Sequence, residues 1–515
     1  MVSIHKLNET YLQITSDDGR ISSKLYEYFK VPIEGAEFSP RFKMGIWDGK
    51  VSAFNKVNGT LPIGLWKSLL EYLKENDIKF SFYNFNAKDL FTNPVFPDEL
   101  VKLYIQKHLN LPFDMYFYQE EAAIKALQYQ KATLLLATGA GKSCIIYLLM
   151  RILYQMKEAD KVMLIVPSVG LVEQMKSNMI DDYGWKNFNN MAYTLNKDTP
   201  QKEKDAIFNV NGMDKAFLIT TWQSVQRKGP EFFDQFNAII IDEVHGVTES
   251  GKVLANIAKL SYGAKYKIGL TGTLGENEAD KQAVLGFIGP IVYQVKSKLL
   301  MDMGILSPIE IKNVICRYPA KIQNLVKGAS YDKEVTIIEE HEPRNVIISD
   351  IIRSTSNTQD NVLLLVKHHE HLKLVKDHLD YHFGKTHVIE IIHGKISAKK
   401  REEIRVTMNK SRNYILLATF ASAGTGMNIP NIDHVIFAAS YKSKIKVLQS
   451  IGRGLRKSAG KDKMTLWDIV DDFSTIQGTG RRVKKNNVYK HFEKRLEYYV
   501  DQEFEYENIE KEISE

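Results

Sequence analysis

Residues 133–154 read TLLLATGAGKSCIIYLLMRILY. Thr133 to Ala137 is an apolar run of strand length, Cys144 to Tyr154 an apolar stretch of helical length, and between them stand small residues, a lysine and a serine. A strand, a Gly-rich loop and a helix in that order make a phosphate-binding element. Small side chains let the consecutive backbone N–H groups of Thr138, Gly139, Ala140 and Gly141 wrap a polyphosphate. Lys142 adds a cation for its β and γ phosphates, and the Ser143 hydroxyl is suited to ligate Mg²⁺. The helix start adds its positive dipole end. The usual pattern carries glycine five residues before Gly141, where this chain has Leu136.

Working outward, from about Tyr116 short Val-, Ile- and Leu-rich runs alternate with amphipathic stretches of helical length, the signature of parallel sheets covered by helices. The expected strands Thr133 to Ala137, Val162 to Val166, Ala216 to Thr220, Ala238 to Ile241 and Lys267 to Leu270 would build one sheet. After Gly304 a second set follows: Val362 to Val366, His387 to Ile392, Tyr414 to Ala418, His434 to Phe437 and Thr465 to Ile469. Ahead of both lies a differently punctuated segment that ends around Phe91 to Pro97. Within it, Phe42 to Val51 carries Trp47-Asp48-Gly49, a hairpin-turn signal, and Leu61-Pro62-Ile63-Gly64 precedes an expected helix, Leu65 to Glu75. The expected domains are therefore 1–95 (small), 96–300 (carrying the phosphate-binding loop), 301–480 (second α/β unit) and 481–515 (a basic, then acidic, tail).

Two further elements give the loop its chemistry. Ala238-Ile239-Ile240-Ile241 delivers Asp242-Glu243-Val244-His245 at the carboxyl end of a strand, where open α/β sheets place their ligands. Asp242 would hold Mg²⁺, and Glu243 would orient and deprotonate an attacking water, because a transferred phosphoryl group needs positioning and charge neutralisation. Gln449-Ser450-Ile451-Gly452-Arg453-Gly454-Leu455-Arg456, in the second unit, sets two guanidinium groups three residues apart on an expected helical face. Arg453 and Arg456 would neutralise transition-state charge on the γ-phosphate, with Gln449 beside them.

In this order the motifs resemble a superfamily 2 helicase core over about Tyr116 to Phe473. The resemblance implies two tandem RecA-like parallel-sheet domains with ATP and Mg²⁺ as cofactors. It makes Tyr118-Gln119 the adenine-reading element, with Tyr116 where many relatives carry arginine, and Thr271-Gly272-Thr273 the motif that couples hydrolysis to movement. It further implies nucleotide contacts from Gly426 and Asn428, within Gly424 to Pro430, and phosphate-backbone contacts from Pro167, Ser168, Thr220, Thr221, His393, Gly394 and Thr419. An ordinary helix cap is the competing reading for each isolated serine or threonine.

Pro40-Arg41, Gly45 to Gly49 and Leu61 to Leu65, with Tyr441 to Lys444 and Trp467-Asp468, resemble the UvsW family of T4-type bacteriophage recombination and repair helicases. This resemblance implies an ATP-dependent DNA helicase with 3′ to 5′ polarity. Its expected work is branch migration of Holliday junctions, fork regression and R-loop unwinding in phage recombination, replication and repair. DNA, preferably branched, is the implied partner, with single-strand-binding or recombination proteins beside it. Trp47 is read as a duplex contact, against the alternative that it fills the core of its own domain. The rivals are a double-stranded DNA translocase, a strand-annealing junction binder whose ATPase regulates release, and an RNA helicase.

The 515 residues, 44% hydrophobic and 25% charged, describe ordinary globular protein of about three to four domains. No apolar run approaches the ~20 residues that span a bilayer, and the densest, Cys144 to Met150, stops at Arg151. Two cysteines, Cys144 and Cys316, suit a reducing compartment, so the cytoplasm is expected, which the phage resemblance makes that of a bacterial host; no membrane association and a monomer are expected as well. The net charge is +7, and basic residues concentrate in Tyr441 to Lys463 and Arg481 to Arg495. In the latter, Tyr489 and Phe492 interleave aromatics with charge, a pattern suited to binding phosphate. Beyond Leu496 the sign turns acidic, as expected of a solvated tail.

Overall fold

The computed structural model describes residues 1–86, 96–109, 111–209, 211–249, 252–355, 360–393, 396–423, 431–458, 461–474 and 485–514. The chain divides into two compact units, Met1–Leu136 with Ala140–Val295, and Lys296–Glu515 with Ala137–Gly139.

The first unit opens with a small α/β domain. Strands β1 (Val2–Lys6), β2 (Tyr11–Ser16), β3 (Lys30–Pro32), β4 (Lys50–Ser52), β5 (Thr60–Pro62) and β6 (Phe80–Phe82) form a four-stranded sheet in the order β5-β2-β1-β6 and a separate antiparallel pair, β3-β4. Alternation along β1 and β2 sends Val2, Ile4, Leu12 and Ile14 to one face, where they meet Leu25 of the helix Gly19–Tyr28 and Leu69 and Leu73 of the helix Trp66–Glu75. The expected hairpin at Trp47-Asp48-Gly49 does not form: β3 and β4 are joined through a short turn and the helix Pro40–Lys43. Gly49, at φ +76°, ends that excursion. Asn58-Gly59 makes the tight turn instead, closed by the bridge of Asn55 to Thr60.

The rest of the unit is a parallel sheet of seven strands, β7 (Lys131–Leu136), β8 (Val162–Val166), β9 (Ala192–Leu195), β10 (Phe217–Thr221), β11 (Ala238–Asp242), β12 (Tyr266–Thr271) and β13 (Ile291–Val295), ordered β13-β7-β12-β11-β8-β10-β9. The five expected strands are present, and β9 and β13 are added at the edges. Every pairing is parallel, so Leu136, Val166, Thr221, Asp242 and Thr271 end at one edge of the sheet.

The small domain is fastened to the opposite end of this sheet. Lys131 and Lys267 are paired in register on β7 and β12; Lys267 is buried and Lys131 largely so. Lys131 Nζ donates to Glu9 Oε2 at 2.5 Å, Lys267 Nζ donates to Thr10 Oγ1 at 2.6 Å, and the Glu9 N–H donates to Tyr262 O at 3.0 Å. Gln282 Nε2 reaches Phe29 O at 3.1 Å. Gly64 lies so close to the carbonyls of Leu285 and Gly286 that no side chain fits there.

The second unit is another parallel sheet of seven strands, β14 (Ile309–Arg317), β15 (Val362–Val366), β16 (Val388–Ile392), β17 (Tyr414–Thr419), β18 (His434–Phe437), β19 (Met464–Asp472) and β20 (Tyr506–Glu512), ordered β16-β17-β15-β18-β19-β14-β20. The stretch expected to be a solvated tail is instead part of this fold. Asn487–Asp501 is a helix, and the acidic run beyond it is the edge strand β20, parallel to β14. Cross-strand pairs accommodate its charge: Arg317 Nη2 to Glu510 Oε1 at 2.6 Å, Lys312 to Glu507 at 3.2 Å, and Asn313 Nδ2 to Asn508 Oδ1 at 2.9 Å.

The basic stretches are largely consumed within the same unit. Arg495 is buried against Asp468, with both contacts at 2.8 Å, and Tyr489 and Phe492 pack on Ile315 and Val470 instead of lining a surface. Lys444 pairs with Asp501, Lys463 with Glu310, Lys485 with Glu493, and Lys461 donates to the carbonyls of Gly454 and Arg456. Arg481, Arg482 and Lys484 lie outside the described residues.

Candidate active site

The order β7-β12-β11 places three loops side by side at the carboxyl edge. Leu136 runs into the loop Ala137 to Gly141, in which Gly139 (φ +91°) and Gly141 (φ +78°) adopt left-handed backbone before the helix Lys142–Gln155 begins. A Cβ at Gly141 would collide with the Gln119 side-chain amide. Gln119 is buried and already occupied: its Nε2 donates to Ala140 O at 3.2 Å, and its Oε1 accepts from the Tyr116 N–H at 3.2 Å. The residue expected to read adenine thus also braces the phosphate loop. Tyr116, half-exposed, lies parallel to Tyr118 with ring centroids 5.6 Å apart and caps the helix Phe117–Tyr129.

Strand β11 ends at Asp242, and Glu243 turns sharply away at φ +53°, ψ +50°. That region is strained for a residue with a Cβ, at a cost of about 1–3 kcal/mol, and it is held here by the short turn Val244–Gly246. The Glu243 carboxylate sits 3.6 Å from Lys142 Nζ and 3.2 Å from His245 Nδ1, and it accepts from Thr271 Oγ1 at 3.2 Å. His245 Nδ1 lies 2.8 Å from the same hydroxyl. Burial alone would raise the Glu243 carboxyl, but Lys142, His245 and Thr271 together hold it below the usual carboxylate range. Asp242 moves the other way: burial, then the charge of Glu243, push it up against the pull of Lys142. Two buried carboxylates sharing one ammonium leave a negative excess that a divalent cation would balance.

Among the described residues no group of three His, Cys, Asp or Glu side chains forms a metal cage. Mg²⁺ in phosphoryl transfer needs none, since one or two protein oxygens and the substrate phosphates suffice. The donor set of Ser143 and Asp242 fits that pattern. Thr271 and His245, read from the sequence only as motif positions, are the direct partners of Glu243. Tyr183, which no sequence pattern singled out, reaches Ser143 Oγ at 3.0 Å.

The expected nucleic-acid contacts divide. Pro167 and Ser168 follow β8 at the carboxyl edge, with Ser168 opening the helix Val169–Ser177 and making no side-chain cap bond. Thr220 is fully buried and its hydroxyl donates to Leu195 O at 3.0 Å, so that side chain faces the interior; Thr221, also buried, meets Ser224 Oγ at 3.0 Å. In the second unit Thr419 ends β17 and pairs with Ser422 at 2.9 Å, and His393 follows β16 with its ring 4.6 Å from that of His369. Gln449 and Arg453 lie on the helix Lys444–Gly454, but Arg456 falls beyond its end, bridged to Leu306, so the two guanidinium groups do not share a helical face. The helix ends at Gly454, where Gly452 and Gly454 in its last turn disfavour continuation. Gly394, Gly426 and Asn428 lie outside the described residues. Trp47 is half-buried, its indole N–H donating to Lys50 O at 2.8 Å, which ties down the turn before β4.

Comparison with known proteins agrees with this geometry. Residues 112–276 match the family model of the type III restriction enzyme res subunit, 344–458 that of the helicase conserved C-terminal domain, and 2–83 that of the N-terminal domain of DNA helicase UvsW. The chain is 28% identical over 512 residues to the ATP-dependent DNA helicase uvsW of Enterobacteria phage T4, covering 98% of each chain. It is 23% identical over 470 residues to the DNA 3'-5' translocase XPB2 of Sulfurisphaera tokodaii, covering 85% of this chain and 94% of the other. The crystal structure of T4 UvsW superposes with a TM-score of 0.51 at 25% identity, covering 99% of both chains. A phosphate loop, an Asp-Glu pair two strands away, a second parallel-sheet unit and that N-terminal domain make the chain an ATP-dependent helicase, similar to phage UvsW along nearly its whole length.

Proposed function

We propose that the chain couples ATP hydrolysis to the remodelling of branched DNA: branch migration of four-way junctions, fork regression and R-loop unwinding in a phage recombination and repair setting. The observation that carries this reading is the small domain fastened to the motor sheet. Its β3–β4 connection presents Phe38, Met44 and Ile46 at 73%, 64% and 65% exposure, with Phe42 beside them and the exposed Arg41 and Lys43 among them. Large apolar side chains so exposed need a partner, and interleaved with cations they suit unstacked bases next to a phosphate backbone. A wedge held on the motor converts translocation into strand separation at a branch.

For the motor itself, the backbone N–H groups of Thr138 to Gly141 and the Lys142 ammonium would hold the phosphates, Ser143 and Asp242 would hold Mg²⁺, and Gln119 with Tyr116 would border the adenine. Mg²⁺ supplies charge neutralisation on the phosphates when bound. Glu243, kept ionised by its three neighbours, accepts a proton from the attacking water as the bond to the γ-phosphorus forms and ADP departs. Gln449, Arg453 and Arg456 are the proposed source of transition-state charge stabilisation. Phosphate contacts that leave the bases unread suit movement along any sequence.

The test is gel-resolved conversion of a synthetic four-way junction and an R-loop by wild type, Lys142→Ala, and a triple variant Phe38→Ser, Met44→Ser, Ile46→Ser. Wild type converts both substrates, Lys142→Ala converts neither, and the triple variant keeps DNA-stimulated ATP turnover but loses conversion. ATP consumption by wild type without strand displacement would make the chain a double-stranded DNA translocase instead. Full conversion by the triple variant would remove the wedge from the mechanism.

A further inference from the structure

Tyr183 closes the five-residue turn Asn178–Asp182, which is wound wider than an α-helix: the Tyr183 N–H donates to Asn178 O, five residues back, at 2.9 Å. Such turns are rare and concentrate at functional sites. Gly184, at φ +69°, then redirects the chain. The ring is only 7% exposed and is walled by Tyr147, 4.9 Å away, and Phe113, 6.1 Å away, so it has little freedom to swing. Its hydroxyl donates to Ser143 Oγ at 3.0 Å.

We infer that Tyr183 is a positioning residue for the Ser143 hydroxyl, holding it in the rotamer that presents its second lone pair to the divalent cation of the bound nucleotide. The inference rests on the proposed reading of Ser143 as a metal ligand. A serine oxygen has two acceptor lone pairs, so accepting from Tyr183 leaves one for a cation while removing the side chain's rotational freedom. Hydrogen-bonding partners behind a metal ligand characteristically orient it, and their loss weakens metal affinity by about 10- to 100-fold. The geometry here lies at the mild end, because one neutral hydroxyl acts on one neutral ligand.

The probe is Mn²⁺, with free ion counted by electron paramagnetic resonance in the presence of the full chain and ADP. Tyr183→Phe keeps the ring and removes only the hydroxyl, and it is expected to weaken Mn²⁺ binding about tenfold while ADP affinity measured without metal stays unchanged. Tyr147→Phe, on the same aromatic wall, binds Mn²⁺ like wild type. Ser143→Ala weakens Mn²⁺ binding, and adding Tyr183→Phe to it causes no further loss. Unchanged Mn²⁺ binding in Tyr183→Phe, beside a weakened Ser143→Ala, overturns the positioning role and leaves the reading of Ser143 intact. Unchanged binding in Ser143→Ala overturns that reading, and the positioning role with it. A parallel loss of metal-free ADP affinity in Tyr183→Phe, or an additive loss in the double variant, would show a packing role instead.

Discussion

Lys267→Met tests how the small domain is fastened to the motor. Lys267 Nζ is enclosed between Thr10 Oγ1 at 2.6 Å and Ala258 O at 3.1 Å, and among the described residues no carboxylate pairs with it. Burial, then the neighbouring Lys131, push its pKa well below 10.5, against the weaker pull of Glu9 and Asp234. A lysine depressed in the fold is protonated when unfolded and neutral when folded, throughout the window between the two values. The unfolded chain binds the extra proton there, so stability rises with pH by up to about 1.4 kcal/mol per pH unit. Methionine has similar volume and no proton to release. It forfeits two hydrogen bonds, at about 1 kcal/mol each and independent of pH, and keeps the packing. Thr10 Oγ1 retains its bond to Ser261 O at 3.1 Å. The stability difference between wild type and Lys267→Met should therefore swing by up to about 2.7 kcal/mol towards wild type over two pH units. In a unit of about 290 residues that is about 4 °C in the unfolding midpoint. Thermal unfolding of both proteins at pH 7, 8 and 9 measures it. Parallel midpoints across the series would refute the argument, since a Lys267 that stays charged in the fold contributes no slope.

Glu243→Gln should lower ATP turnover by about 10²- to 10⁴-fold, the usual contribution of a positioned base, with nucleotide affinity retained in equilibrium binding; lost affinity with turnover kept would contradict the role. Asp468→Asn leaves the buried Arg495 without its counter-charge and should cost about 3–5 kcal/mol in a urea titration. Replacing both partners with apolar residues of similar volume should recover most of that loss, and no recovery would mean that Tyr499 and the Tyr441 carbonyl, not the ion pair, hold the helix.

Legibility followed the unbroken apolar run. The central strands β8, β15 and β18 were bounded to the residue by their apolar runs, because a strand buried on both faces tolerates little else. The edge strands β9, β13 and β20 were missed, and so was the interior strand β14, whose apolar run is interrupted by Glu310, Lys312 and Asn313, while the apolar edge strand β16 was expected. Tyr506–Glu512 in particular reads as solvated charge, and only its register against Arg317, Lys312 and Asn313 makes it a strand. The Asp48-Gly49 turn signal was real but local, and long-range pairing of β4 with β3 overrode the hairpin it suggested. Arg456 was placed on the helix of Arg453 by spacing alone, which does not register where a Gly-rich helix ends.

The sequence by itself determined which motor motifs are present and in what order. The order of a phosphate loop, Asp242-Glu243 and Arg453 with Arg456 is covalent information, and the alternation of strands and helices dictates a parallel sheet that carries the phosphate loop and Asp242-Glu243 to one edge. Only the tertiary structure decided what surrounds them. That Thr271 holds Glu243, that Tyr183 meets Ser143, and that Glu9 and Thr10 cover Lys131 and Lys267 at the far end of β7 and β12 are contacts between residues far apart in the chain. Their energies come from burial and from hydrogen-bond geometry, which exist only once the strands are side by side.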